Sequence, residues 1–332
     1  MIEILIFVHK EGIRQKTTLL LQRADYMAHQ EGEQLQLKQI EVNNLNTLSG
    51  LAPKVSQLHL HMLKHLDFQG NNELERLIPE NQPAKMFAKA IYKAWKCFGD
   101  EKAVVLMMLT DTCRMRFDFR HLEYEVRNLS NYKCKFIFPT LTECTQRLSL
   151  DTDYTLLVDG GKQKVAVVYF HACLTSKCYK TEKEWETRLL IERSTAIKCP
   201  SIGLQLANTK KIQQVLSEPG IVEKFLDLEN AQNVRKTFAK QWGLEEENDS
   251  THQIVQVAFL QQGVKWHVSV PTIDVGSCKL KSFTPSQISA HILQQKLNPM
   301  VTQNYMLRPS EKVKLCNVVG ELGIYGCLLG KN

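Results

Sequence analysis

Apolar positions along this chain change their period, and the changes mark its elements. Residues 2–8 form a compact apolar run that predicts a strand. A second run at 17–21 predicts another and leads into Arg23-Ala-Asp-Tyr-Met27. Residues 37–42, LKQIEV, predict a third strand. Between Lys54 and Leu66 the period lengthens, with Val55, Leu58, Met62 and Leu66 along one helical stripe. A clearer helix is predicted over about 84–98, with Phe87, Ile91, Trp95 and Phe98 on one face. Pro83 stands where a first-turn proline is tolerated, and Gly99 follows the last apolar position.

From Lys102 the pattern alternates between strands and helices. Residues 103–109 are apolar throughout, as a strand buried on both faces should be. Leu122, Val126 and Leu129 mark a helix, residues 135–138 a second strand, and 156–170 two strands joined by Asp159-Gly-Gly161. This stretch, to about Asn208, predicts one α/β lobe with a mostly parallel sheet. A helix over 184–196 carries Trp185, Leu189 and Ala196 inward and is stopped by Pro200. The next begins at Asn208-Thr209, both good N-caps, and runs to about Leu216. Val234, Phe238 and Trp242 predict a further helix closed by Gly243, followed by an acidic connection at 245–249.

Composition narrows the function without naming it. At 332 residues, with 43% hydrophobic and 23% charged residues, the chain can bury a substantial core in two or three lobes. Its net charge of +7 suits anionic ligands such as a nucleotide or a peptide dicarboxylate. The lysines are scattered and no nucleic-acid motif accompanies them, so nucleic acid is not an expected partner. No apolar run approaches membrane length, and the opening residues lack the basic start of a signal peptide. The ten cysteines contain no C-x-x-C pair, which fits reduced thiols in a cytoplasmic setting.

Several groups are candidates for chemistry. Glu41 and Asn43 are two apart on a predicted strand, so both project to one face and offer hard oxygens to a magnesium-type ion. Lys210 stands at the head of a predicted helix, where unpaired N–H groups favour phosphate. His59, His61 and His65 share a predicted helix, but no glutamate follows His61 and no third ligand is evident, so a half-exposed helix face is the plainer reading. Cys173 and Cys178 lie near His171 in sequence, and a thiol site there needs geometry to support it.

LKQIEVN at 37–43, VAVVYF at 165–170, the ungapped stretch WETRLLIERSTAIKCPSIGLQLANTKKIQQVL at 185–216 and GELGIYG at 320–326 together resemble the eukaryotic-type glutathione synthetases. That family belongs to the ATP-grasp ligases and joins γ-glutamylcysteine to glycine. The resemblance implies an α/β, ATP-grasp-like ligase fold with an inserted α/β substrate-binding lobe. Its parts would be residues 1–100 (core with the metal-binding strand), 101–208 (substrate lobe) and 209–332 (C-terminal portion). It further implies ATP as co-substrate, magnesium as cofactor and a homodimer. Residue by residue, it gives Glu41 and Asn43 to metal. Met27, Lys210, Lys296 in ILQQKL and Glu321 go to nucleotide, and Arg23 goes to the peptide carboxylate. Arg188 would support the fold through an ion pair, and no residue is singled out as a catalytic group.

The chain also departs from the family pattern. The family's Arg-Asp-Gly-Tyr after the VVYF strand is here His171-Ala-Cys-Leu174, which removes a substrate-binding arginine. The turn after the metal-binding strand is one residue shorter and reads Asn44-Leu-Asn-Thr-Leu-Ser-Gly50. Polar family positions align with Cys113, Met115 and Phe119, a glycine-rich phosphate loop is replaced within 254–280, and the sequence stops before the family's lid. Two readings therefore stand: an ATP- and magnesium-dependent peptide ligase, or a repurposed homologue that holds a ligand without ligating it.

Overall fold

The computed structural model describes residues 1–45, 47, 49–66, 74–78, 80–110, 115–173, 175–244, 284, 289 and 291–331. Cys113, Leu174 and the segment 254–280 lie outside the described residues. In chain order the elements begin with α1 (Ile2–Glu11), β1 (Thr17–Glu31), β2 (Gln34–Asn43), α2 (Ala52–His65), α3 (Leu74–Leu77) and α4 (Pro83–Phe98). There follow β3 (Val104–Met108), α5 (Arg116–Leu129), β4 (Phe136–Ile137), α6 (Leu141–Arg147), β5 (Leu148–Leu150), β6 (Leu156–Val158) and β7 (Gln163–Phe170). After α7 (Glu182–Arg193), β8 (Ile197–Cys199), α8 (Ile202–Ala207), α9 (Lys210–Ser217) and α10 (Leu228–Thr237) come β9 (Gln241–Gly243) and β10 (Ile292–Gln294). The described chain closes with β11 (Val301–Met306), β12 (Lys314–Val319) and β13 (Leu322–Lys331).

The chain divides into two compact units. The first comprises Met1–Gln22, Asn43–Leu206 and Tyr325–Asn332, the second Arg23–Val42 and Ala207–Ile324. The first unit is organised by β3 and β7, which pair in parallel, with β4 beyond β3. The other edge of β7 is shared: Gln163 and Lys164 pair antiparallel with β6, and Val167–Tyr169 pair parallel with β8. Alternate residues of β3 point to opposite faces, and both faces are covered. Val105 and Met107 join Phe87, Ile91 and Trp95 of α4 and Leu122 and Val126 of α5. Val104, Leu106 and Met108 join Leu141 and Cys144 of α6 and Ile191 of α7. Two-sided burial is why this strand reads as an unbroken apolar run.

Local signals set the helix ends. Gly99 closes α4 in the left-handed conformation at φ 87°. The Thr181 and Glu184 side chains close a capping box at the start of α7. The run at 2–8 is a helix and not the expected strand. Ile4 and Val8, one turn apart, are buried against Ile202, whereas Ile2, Ile6 and Phe7 stay exposed. So short a run carries no alternation to separate the two periods. The stripe on α2 forms as a helix, but Val55, Leu58, Met62 and Leu66 are all exposed. The helix expected to reach Trp242 ends at Thr237, and Trp242 instead pairs with Leu293 across β9 and β10. The helix before Pro200 stops at Arg193, and β8 intervenes.

In the second unit, β1 and β2 meet through a turn at Gly32, whose φ is 61°. β9 and β10 form a short antiparallel pair, and β11 and β12 a longer one. Among the described residues no helix is long and apolar enough to cross a membrane. The described cysteines are all free, and burial pushes the Cys134, Cys144, Cys173 and Cys199 thiols up to about 12.

Two buried groups in the first unit generate measurable expectations. Arg188 is fully buried over the Phe170 ring at 3.8 Å, and its Nε donates to Glu192 Oε1 at 2.9 Å. Arg188→Ala strands the Glu192 carboxylate and should cost about 3–5 kcal/mol in urea unfolding. Replacing both partners with Met and Leu should cost far less. His171, which follows β7, packs edge-on against Phe119 with ring centroids 4.0 Å apart, and burial pushes its imidazole from 6.5 down to about 4. The unfolded chain then binds a proton that the folded chain refuses. The associated stability is complete above pH 6.5 and is lost as pH falls towards 4. Unfolding measured across that window should lose roughly 3 kcal/mol more in the native chain than in His171→Gln.

Candidate active site

On β1, Arg23, Asp25 and Met27 occupy alternate positions, so the pleat sets all three on one face. Arg23 donates from Nε to Asp25 Oδ1 at 2.6 Å and from Nη2 to Oδ2 at 2.8 Å. This two-point pairing fixes the guanidinium plane. Asp25 is 1% exposed, while Met27 is half-buried. The main chain of β13 lies directly on the pair. A Cβ at Gly323 would sit 3.0 Å from Arg23 Cδ and 3.4 Å from Asp25 Oδ1. A side chain there would press on the aliphatic part of Arg23.

Lys210, the first residue of α9, reaches back to β2. Its Nζ donates to the Ile40 carbonyl at 2.5 Å and lies 3.5 Å from Glu41 Oε2. Burial lowers its basicity, while the Glu41 and Asp25 carboxylates raise it. From β10, the amide of Gln294 donates to the same Ile40 oxygen at 3.3 Å. Glu41 remains 38% exposed at its side chain. Asn43 ends the same strand two residues on, half-buried, so strand geometry gives the two side chains a common face.

Glu321 stands immediately before β13. Partial desolvation raises its carboxyl, with repulsion from Asp25 and Glu41 adding to the rise and Arg23 opposing it. Asp25, Glu41 and Glu321 therefore sense one another, and two cations, Arg23 and Lys210, answer three carboxylates. Of the residues expected from sequence, Arg23, Glu41, Lys210 and Glu321 come together in this cluster, with Met27 and Asn43 on its strands. Lys296 does not join them: it is exposed, two residues beyond the end of β10. His59, His61 and His65 are exposed on α2, and among the described residues no group of three His, Cys, Asp or Glu is placed to hold a metal ion.

The sequence reading missed Asp25, Gln294 and Gly323. Asp25 carried a usable signal, since Arg-x-Asp on a strand puts opposite charges side by side. Gln294 and Gly323 matter through a backbone carbonyl and a close main-chain approach, which leave no mark in a one-dimensional pattern.

Comparison with known proteins extends this picture to the whole chain. The family model described as eukaryotic glutathione synthase, ATP binding domain, matches residues 1–332. Glutathione synthetase of Dictyostelium discoideum is 33% identical over 341 residues, covering 97% of this chain and 70% of that protein. The Homo sapiens glutathione synthetase is 36% identical over 337 residues, covering 96% and 68% respectively. Among solved structures, a glutathione synthetase-like effector from Globodera pallida, in its apo form, superposes with a TM-score of 0.79 at 30% identity. That match covers 98% of this chain and 72% of the effector. The α/β architecture is thus of the ATP-grasp-like ligase type. With identity above 30% sustained along nearly its full length, the chain belongs to the eukaryotic glutathione synthetases, a family of ATP-dependent ligases, and is glutathione synthetase-like in function.

Proposed function

We propose that the charged cluster of the second unit activates a dipeptide of the γ-glutamylcysteine class for ligation to glycine. ATP is the phosphoryl donor. The γ-phosphoryl passes to the peptide carboxylate and ADP leaves. The glycine amine then attacks the acyl carbon, forming the C–N bond as phosphate departs with the C–O electron pair. The attacking nitrogen loses its proton to solvent. Such chemistry depends on positioning and on charge fixed in advance.

The observation that carries the reading is the Lys210 ammonium, tied to the Ile40 carbonyl beside Glu41. An ammonium held there meets phosphate oxygens without having to reorganise. Arg23, its plane set by Asp25, receives the peptide carboxylate. Glu321, Met27 and Lys296 take the nucleotide. Glu41 and Asn43 fit a magnesium ion, because a half-exposed carboxylate and an amide oxygen are hard donors and such ions complete their shells with phosphate and water. Magnesium bound there would disperse the negative charge of the triphosphate. A homodimer and a cytoplasmic setting belong to the same proposal, and the free, buried thiols support the latter.

Lys210→Ala and Glu41→Gln should each lower ADP release with γ-glutamylcysteine and glycine by about 100-fold or more, with melting nearly unchanged. Native protein that binds magnesium-ATP yet releases no ADP with both substrates present would overturn the ligase reading. Gly323→Ala requires the Arg23 side chain to give by a few tenths of an ångström at Cδ. Its KM for the dipeptide should rise more than its KM for ATP, and steady-state kinetics with each substrate varied in turn would measure the difference.

A further inference from the structure

The first unit holds a cleft at the amino ends of its parallel strands. Lys102 stands just before β3, Lys164 lies at the start of β7 and Ile197 opens β8, and all three line it. Open parallel sheets place their substrate crevices at the opposite, carboxyl ends. Arg14 and Lys16, from the connection between α1 and β1, line another side, and Phe98 at the end of α4 adds an apolar wall. The volume is about 760 Å³, within the range of small-molecule sites. Every lining residue belongs to the first unit, so the cleft is complete within it.

Four cations, Arg14, Lys16, Lys102 and Lys164, share this lining with two carboxylates, Asp100 and Glu101. Both carboxylates are already engaged. Glu101 accepts from Lys133 at 2.8 Å and from Lys96 at 2.7 Å, two ammonium groups outside the lining that hold its carboxyl down to about 2. Asp100 lies 3.3 Å from Lys164 Nζ and accepts the Lys102 main-chain N–H at 2.9 Å. Lys16 and Lys102 are exposed, and among the described residues neither ammonium enters an ion pair. Arg14 is held in place. Its guanidinium lies 3.4 Å from the centroid of the Tyr154 ring, and Nη1 donates to the Gly12 carbonyl and pairs with Glu11. Nε and Nη2 are left without a partner among the described residues. The cleft therefore carries a positive excess with one guanidinium already oriented.

We infer that this cleft binds a chain of phosphates, free or carried by a nucleotide, at a site that shares no residue with the cluster around Lys210. The cations come from three separate stretches of chain, at 14–16, at 102 and at 164. A single carboxylate answers one such station, whereas a phosphate chain carries charge along its length and answers several. The Arg14 fork suits two oxygens of one phosphate, and the lysines act on the others as point charges. Phe98 and Ile197 give apolar surface on which the remainder of a nucleotide can lie. The inference goes beyond the ligase reading and does not depend on it.

Cys97 lines the same cleft and is exposed, which supplies a local reporter. Its alkylation by iodoacetamide is timed on the full chain by mass spectrometry of its peptide, at physiological ionic strength so that loose attraction is screened. Inorganic tripolyphosphate is the probe. At ten times its Kd it should slow Cys97 about tenfold, because only the free fraction reacts. Cys327, also exposed, should react at an unchanged rate. Arg14→Gln should raise the tripolyphosphate concentration required by about tenfold, and Lys102→Gln by about threefold. Lys102→Gln removes no ion pair among the described residues, so it keeps the test open should Arg14→Gln fail to fold. UTP more effective than tripolyphosphate would identify a nucleotide as the source, and equal effect would identify the phosphate chain alone. Either result upholds the inference. Absence of Cys97 protection by tripolyphosphate, equal protection by citrate, or protection that both variants leave unmoved overturns it. None of these results touches the ligase reading, which ADP release tests.

Discussion

An ammonium withdrawn from water must be surrounded by oxygen, and the arrangement of the charged cluster follows from how Lys210 meets that requirement. Its Nζ is bonded to the main chain of β2 at Ile40, which fixes the start of α9 against that strand. Gln294 bonds to the same carbonyl, so β10 is tied to the same point. With the ammonium anchored, Glu41 is left 3.5 Å away and more than a third exposed. Asp25, in contrast, is buried and taken up by Arg23. Glu41, although paired with Lys210, and Glu321 are the more exposed carboxylates of the cluster. Those are the acids a hydrated cation can approach, while the cations are clamped in place.

The first unit solves a different problem. Both faces of β3 and β7 are covered by helices, so side chains along these strands have no room for polarity. Polar groups are displaced to the carboxyl ends of the strands. Arg188, although completely buried, has Glu192 on its own helix and the Phe170 ring beneath it. Asn44 Oδ1, His171 Nε2 and Gln205 Oε1, like Arg188 Nη2, are buried without a hydrogen-bond partner among the described residues.

How much of this was legible in the sequence depended on the range of the interaction. The all-apolar β3, the α4 face with Gly99 behind it and the turn between β6 and β7 were written in local periodicity, and they stand as read. Ile2–Glu11 misled because seven apolar-rich residues fit either period, and burial of Ile4 and Val8 against Ile202, far along the chain, decided for helix. Trp242 misled for the same reason, its strand partner lying on β10. In the site, family motifs carried Arg23, Glu41, Lys210 and Glu321 to one cluster. They said nothing of the Ile40 carbonyl or the close approach at Gly323. At His171 the sequence displayed the substitution, but the imidazole's neutrality is a product of burial that only the packed structure supplies.

The two clusters handle charge in opposite ways, and this separates their tasks. Around Lys210 the groups are charged and coupled over several ångströms, with Glu41 and Glu321 open to solvent, so what they offer a ligand is a field. Fields act on phosphate and divalent cations with little regard for the rest of the molecule. Around His171 the available atoms are neutral, buried and held by single hydrogen bonds, so what they offer is contact. Contact between buried polar atoms discriminates sharply, because a wrong partner leaves lone pair against lone pair with no water to relieve it.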